Sequence, residues 1–156
     1  MFVKIKNTKI DILIEMVCLL LLGGITLYLI WNWSSIPDKI PMHYDIAGQV
    51  DRWGNKIELL FLPILSWGMY ILITVAEAFP KAWNTGVRVT EENAHRVYRI
   101  LKSMIKITKL IVIAMFSYMT ICSAVAKNLS SWFFVVTMFV VFGNIIFWTV
   151  KLFQNQ

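Results

Sequence analysis

His43, Asp45 and Asp51 fall close together in the stretch "PMHYDIAGQVDRWGNK", Pro41 to Lys56. One imidazole and two carboxylates are side chains that bind metals and exchange protons near neutral pH. If Met42 to Asp45 is extended, alternation places His43 and Asp45 on one side, and Asp51 could complete a metal site. The competing expectation is a hydrogen-bonded knot, in which the same groups tie the loop to itself. Two or three ligands on one loop favour the knot, so His43, Asp45 and Asp51 stand only as weak metal candidates. No cofactor is assigned. Pro37 and Pro41 bias Ile36 and Ile40 towards extended backbone. Gly48 and Gly54 are expected to supply turns, and Trp53 to rest on a membrane surface or plug the loop.

A second set of chemically able residues lies in "VTEENAHRVYRILKSMIKITK", Val89 to Lys109. Thr90 suits an N-cap, and Glu91 and Glu92 suit the positive end of a helix. On helical spacing Arg96, Arg99, Lys102, Lys106 and Lys109 share one face. Ala94, Val97, Tyr98, Leu101, Met104 and Ile105 share the other. Cations beside an apolar stripe are the pattern of a helix lying among anionic lipid headgroups, with a docking face for a cytoplasmic partner as the alternative. The expectation is a basic cytoplasmic extension that runs on into an apolar span. Asp11 and Glu15, four residues apart, are expected to pair with Lys4, Lys6 and Lys9 at headgroup level.

The elements that must position these groups are apolar. Of the 156 residues 58% are hydrophobic and 15% charged, whereas a soluble domain carries about a quarter charged residues. Four runs approach the roughly 20 residues that cross a bilayer. The sequence therefore predicts an all-α integral membrane protein, one four-span domain over 1–156. Its spans fall at about 12–33, 59–78, 108–127 and 132–150, with an ordered outer loop at 34–56 and an inner loop at 79–107. The first run is longer than a signal-peptide core and lacks a small-residue cleavage site, so it is expected to be retained. Pro63 should kink the second span, and Glu77 should sit at the interface. Asn144 should bond to a neighbouring helix, and Gly23-Gly24 could admit a close helix neighbour, in this chain or in a homo-oligomer. Cys18 and Cys122 fall at different depths and should not pair.

Eleven of the fifteen Lys and Arg residues lie on one side of this layout, leaving Lys39, Arg52, Lys56 and Lys127 on the other. Basic excess marks the cytoplasmic face, so both termini are expected inside a plasma membrane and the His43 loop outside. The net charge of +6 reflects that asymmetry and is no nucleic-acid footprint.

The pattern P-x-H-x-x-x-x-G-x-x-D-x-x-G-x-K, here Pro41, His43, Gly48, Asp51, Gly54 and Lys56, followed by Pro63, resembles a membrane domain of unknown function. That domain forms the N-terminal part of the SdpI-type immunity proteins of Gram-positive bacteria. "VTEENAHRVYRI" is similar to the cytoplasmic segment of small stand-alone members. The resemblance implies a bacterial membrane protein that protects against, or senses, a secreted peptide toxin; SdpI-type proteins are longer, with further spans.

Three function classes follow. A non-enzymatic receptor or immunity protein would use the loop (Pro41, His43, Asp45, Gly48, Asp51, Trp53, Gly54, Lys56) to bind a secreted peptide or envelope protein, since ordered long loops are commonly functional. A small transporter or pore subunit would need ionisable residues along a membrane path, and the sequence places none near mid-membrane. A metal-dependent membrane hydrolase would need paired catalytic groups, yet neither HExxH nor GxSxG occurs. His43 and His95 also fall on opposite sides of the layout.

Overall fold

The computed structural model describes residues 5–155. The chain runs α1 (Lys9–Asn32), β1 (Lys39–Tyr44), β2 (Val50–Asn55), α2 (Phe61–Ala78), α3 (Ala94–Ala124) and α4 (Phe133–Gln154). All four helices are long and apolar enough to cross a membrane. Helix α3 is the hub, because α1, α2 and α4 all pack on it, while α1 and α2 barely meet. Ion pairs join the starts of α1 and α3, and Tyr44 meets the end of α3. One end of the bundle thus carries the start of α1 and the end of α4, and the other carries the β1–β2 hairpin.

Local chemistry sets the ends of these elements. Thr8 and Asp11 form a capping box at α1: Thr8 Oγ1 accepts from the Asp11 amide at 3.2 Å, and Asp11 Oδ2 accepts from the Thr8 amide at 2.7 Å. Thr90 and Asn93 bond reciprocally one turn before α3, with Asn93 standing where Glu or Gln is usual. At the other end of α3 the Lys127 amide bonds to the Cys122 carbonyl at 2.9 Å, with Ala126 at φ 53°. This left-handed cap is usually glycine. It turns residues 127–130 back towards the hairpin.

Several expectations need correction here. Pro63 lies in the first turn of α2, after a 3-10 turn over Lys56–Leu60. Backbone N–H groups there have no helical acceptor, so the proline marks a helix start and no kink is needed. Residues 94–109 run on into the apolar span as one helix, as expected, but their apolar stripe is covered by protein. They are the first half of α3, with Val97, Ile100 and Leu101 buried against Leu152, Trp83, Val87 and Val89. Gly54 is no turn residue either; it pairs with Ile40 inside the hairpin. The bond expected of Asn144 is present, its amide donating to Thr108 Oγ1 on α3 at 2.9 Å. Both cysteines are free and buried.

Candidate functional site

The hairpin builds the first of two polar centres. Strands β1 and β2 pair antiparallel, with a bulge at Met42 where Pro41 faces Trp53 and His43 faces Arg52. Beneath it Ile36, Ile40 and Leu59 pack on Ile25 and Leu29 of α1 and Ala124 of α3. Pro41 is fully buried. The Lys56 ammonium sits 5.0 Å from the Trp33 ring, and its amide donates to the Asp38 carbonyl at 2.9 Å. The two ends of the hairpin are thereby held to the bundle from below.

The tip is held from the side, by the connection between α3 and α4. Gly48 takes φ +78°, and its carbonyl accepts from the Leu129 amide at 2.8 Å. A Cβ at Gly48 would lie 2.8 Å from the Leu129 carbonyl oxygen, a backbone atom that cannot step aside. Asn128 Oδ1 accepts from the Val50 amide at 3.0 Å, and its amide donates to Gln49 Oε1 at 2.6 Å. The buried Tyr44 hydroxyl lies 3.0 Å from Ser123 Oγ and donates to the Lys127 carbonyl at 3.3 Å. Burial pushes the Tyr44 pKa up, which keeps the hydroxyl protonated as a donor.

The three residues expected to share a site separate into two jobs. His43 Nδ1 and Asp51 Oδ1 meet at 2.7 Å across the strands, both largely exposed. Asp45 turns to its own loop and accepts from the Gln49 amide at 2.8 Å. Among the described residues no group of three His, Cys, Asp or Glu is placed to hold a metal ion. Trp53 is 53% exposed and Ile46 84% exposed, so neither plugs the loop. The outer surface is therefore an ion pair, an indole and an isoleucine displayed on a fixed hairpin.

The second centre lies near the terminus end, and the sequence had assigned its residues elsewhere. Lys106 Nζ reaches Glu15 Oε2 and Glu77 Oε2, each at 2.9 Å. Lys109 Nζ reaches Glu15 Oε2 at 2.9 Å, Glu77 Oε1 at 2.8 Å and Thr74 Oγ1 at 3.1 Å. Tyr70 donates its hydroxyl to Glu15 Oε1. Lys109 is fully buried, and Lys106 and Glu77 nearly so. One layer below, Arg99 grips Asp11 with two 2.6 Å bonds, and Lys102 donates to the Ile5 carbonyl at 2.9 Å.

Four of the five residues expected to face lipid headgroups are thus turned into protein contacts, and only Arg96 stays exposed. Glu77, in the last turn of α2 where an interface was expected, turns its carboxylate inward to both lysines. The physical reason is depth: Glu15 lies about 9 Å along α1 from Lys9 at 1.5 Å per residue, where a carboxylate needs a counter-charge. The signal was in the spacing. Asp11 and Glu15 repeat at four residues, and Arg99, Lys102, Lys106 and Lys109 repeat at three and four, so two charged stripes of like pitch can face one another.

The family match bears on one centre only. Residues 20–66 match the family described as "Domain of unknown function (DUF1648)". An "Uncharacterized protein" of Archaeoglobus fulgidus is 38% identical over 50 residues, 29% of this chain. The match spans only 27% of that protein's length. No solved structure matches. Glu15, Glu77, Lys106 and Lys109 all lie outside the matched segment. From the second half of α1 through the hairpin into the start of α2, this four-helix chain is similar to the DUF1648 family.

Proposed function

We propose that this is a non-enzymatic membrane protein whose hairpin recognises a secreted peptide or an envelope protein, as the SdpI resemblance implies for toxin immunity or sensing. The supporting observation is the contrast between the hairpin's two sides. Its underside and tip are tied down by Ile40, Tyr44 and Gly48, while His43, Asp51, Trp53 and Ile46 face outward. A surface fixed before binding loses less entropy on binding. The basic asymmetry supports a hairpin outside a bacterial plasma membrane, with both termini in the cytoplasm.

The test is the H43A/D51A pair. An exposed ion pair contributes about 0.2–1 kcal/mol, so the variant should insert and express as the parent does while losing protection or partner capture. Full function in the variant would sink the recognition reading. Maleimide labelling from outside should reach a cysteine at Gln49 and miss one at Asn84; the opposite pattern would reverse the orientation.

A second reading has one observation of its own. The Glu15–Lys106–Lys109–Glu77 centre puts ionisable groups inside membrane-spanning helices, which is a feature of small transporters and pore subunits. Liposome flux that vanishes with E15Q, and not with H43A/D51A, would favour it.

A further inference from the structure

We infer that a cleft between the first turns of α3 and the last turn of α4 is a binding site for the phosphate of an anionic phospholipid. The cleft has a volume of about 430 Å³ and is lined by His95, Arg96, Arg99, Trp148, Lys151 and Asn155, with Ile100 and Ser103. Among the described residues no carboxylate lines it. Arg99 spends both terminal nitrogens on Asp11, which approaches from the α1 side. Arg96 and Lys151 make no salt bridge among the described residues, and both are exposed. The Lys151 ammonium rests 5.1 Å from the ring of cleft-lining Trp148 and 5.8 Å from that of Phe147.

The neighbouring cavity, of about 500 Å³, shows why the charge balance matters. Asp11, Glu15 and Glu77 line it together with Lys102 and Lys106, so its cations are already matched by anions. The α3–α4 cleft keeps two cations, on opposing helices, that no anion among the described residues matches. Arginine offers a planar fork that fits phosphate oxygens, and lysine adds a mobile point charge. Both sit at the end of apolar membrane-crossing helices, where headgroups lie, and Trp148 is the amphipathic side chain favoured at that level. A lipid can place its phosphate between them and its chains along the groove beyond Trp148. A free phosphate would have only the charges to hold it, so the lipid is the occupant argued for.

The full-length chain in mild detergent should be titrated with phosphatidylglycerol, with phosphatidylcholine and with glycerol phosphate, and retained adducts read by native mass spectrometry. One phosphatidylglycerol per chain should be retained over phosphatidylcholine. Millimolar glycerol phosphate should fail to displace it. R96Q/K151Q should weaken retention by about 25-fold, at roughly fivefold per cation near an anionic surface. R96K/K151R should keep most of it, and K39Q/K56Q at the hairpin end should leave it unchanged. Equal retention of both lipids, or of phosphatidylglycerol by R96Q/K151Q, would overturn the site. Full displacement by glycerol phosphate would overturn the lipid as its occupant. Because the lipid comparison uses the unsubstituted chain, it decides the matter even if a variant does not fold.

Discussion

The two polar centres of this molecule meet α3 at different levels, the hairpin at its C-terminal end and the charge centre near its middle, and are built from different materials. The hairpin end is fixed by neutral hydrogen bonds and backbone contacts, with its one ion pair left in the open. The terminus end is fixed by buried charges, with two ammonium groups shared between two carboxylates. An ion pair in water contributes little because solvent competes with it. The same pair under hydrocarbon contributes little to stability when complete, yet costs several kcal/mol when half of it is removed. The position of a charge, more than its presence, decides what its loss would do.

The largest effect should come from K109M. It leaves Glu15 and Glu77 to share one cation, and breaking a buried pair costs about 3–5 kcal/mol. Thermal unfolding in detergent should show a large drop, and E15Q/K109M should recover much of it by restoring neutrality. If K109M is as stable as the parent, the terminus end is not governed by charge and the comparison fails.

G48A probes the hairpin end at its tightest point. The left-handed conformation costs about 1–2 kcal/mol for an alanine, and the contact with the Leu129 carbonyl adds overpacking. The hairpin should detach from residues 127–130, making a cysteine at Asn128 more reactive to a soluble maleimide, while the charge centre stays intact. Y44F should be milder, at about 1 kcal/mol for one hydrogen bond. The raised Tyr44 pKa adds a pH signature. Its stabilising share is full below the unfolded value of 10.0 and falls as pH rises through the folded value, a trend that Y44F should lack. The smallest effect is expected for N144A, at about 0.6 kcal/mol for an interhelical bond in a membrane. A loss above that of G48A would place the weak joint between α3 and α4 and not at the hairpin.

The sequence made the helices legible because lipid leaves no ambiguity: a long uncharged run has few other uses. Asn144 was legible for the same reason, being alone in an apolar span. The strand at Pro41 could be read from proline and alternation, whereas β2 could not, since Val50 to Asn55 has no apolar alternation, and the bonds from Asn128 and Leu129 that hold the hairpin tip come from a distant segment. The ion centre was misread because spacing reveals a charged face and not what covers it. Lys106 looks like a headgroup ligand until α1 and α2 are placed beside it, and those partners lie 91 and 29 residues away in the chain.

The hub position of α3 has a consequence for how the protein is made. Helices α1 and α2 leave the ribosome first, each bearing a carboxylate whose buried cation partners are encoded on α3. A lone charge at the centre of a nascent span costs about 2.5–3.5 kcal/mol at the insertion machinery, and the cost falls nearer the span's ends. The first two helices therefore gain from waiting beside the translocon until Lys106 and Lys109 arrive. Biogenesis is then a three-helix event followed by the late addition of α4, whose main helix partner is α3.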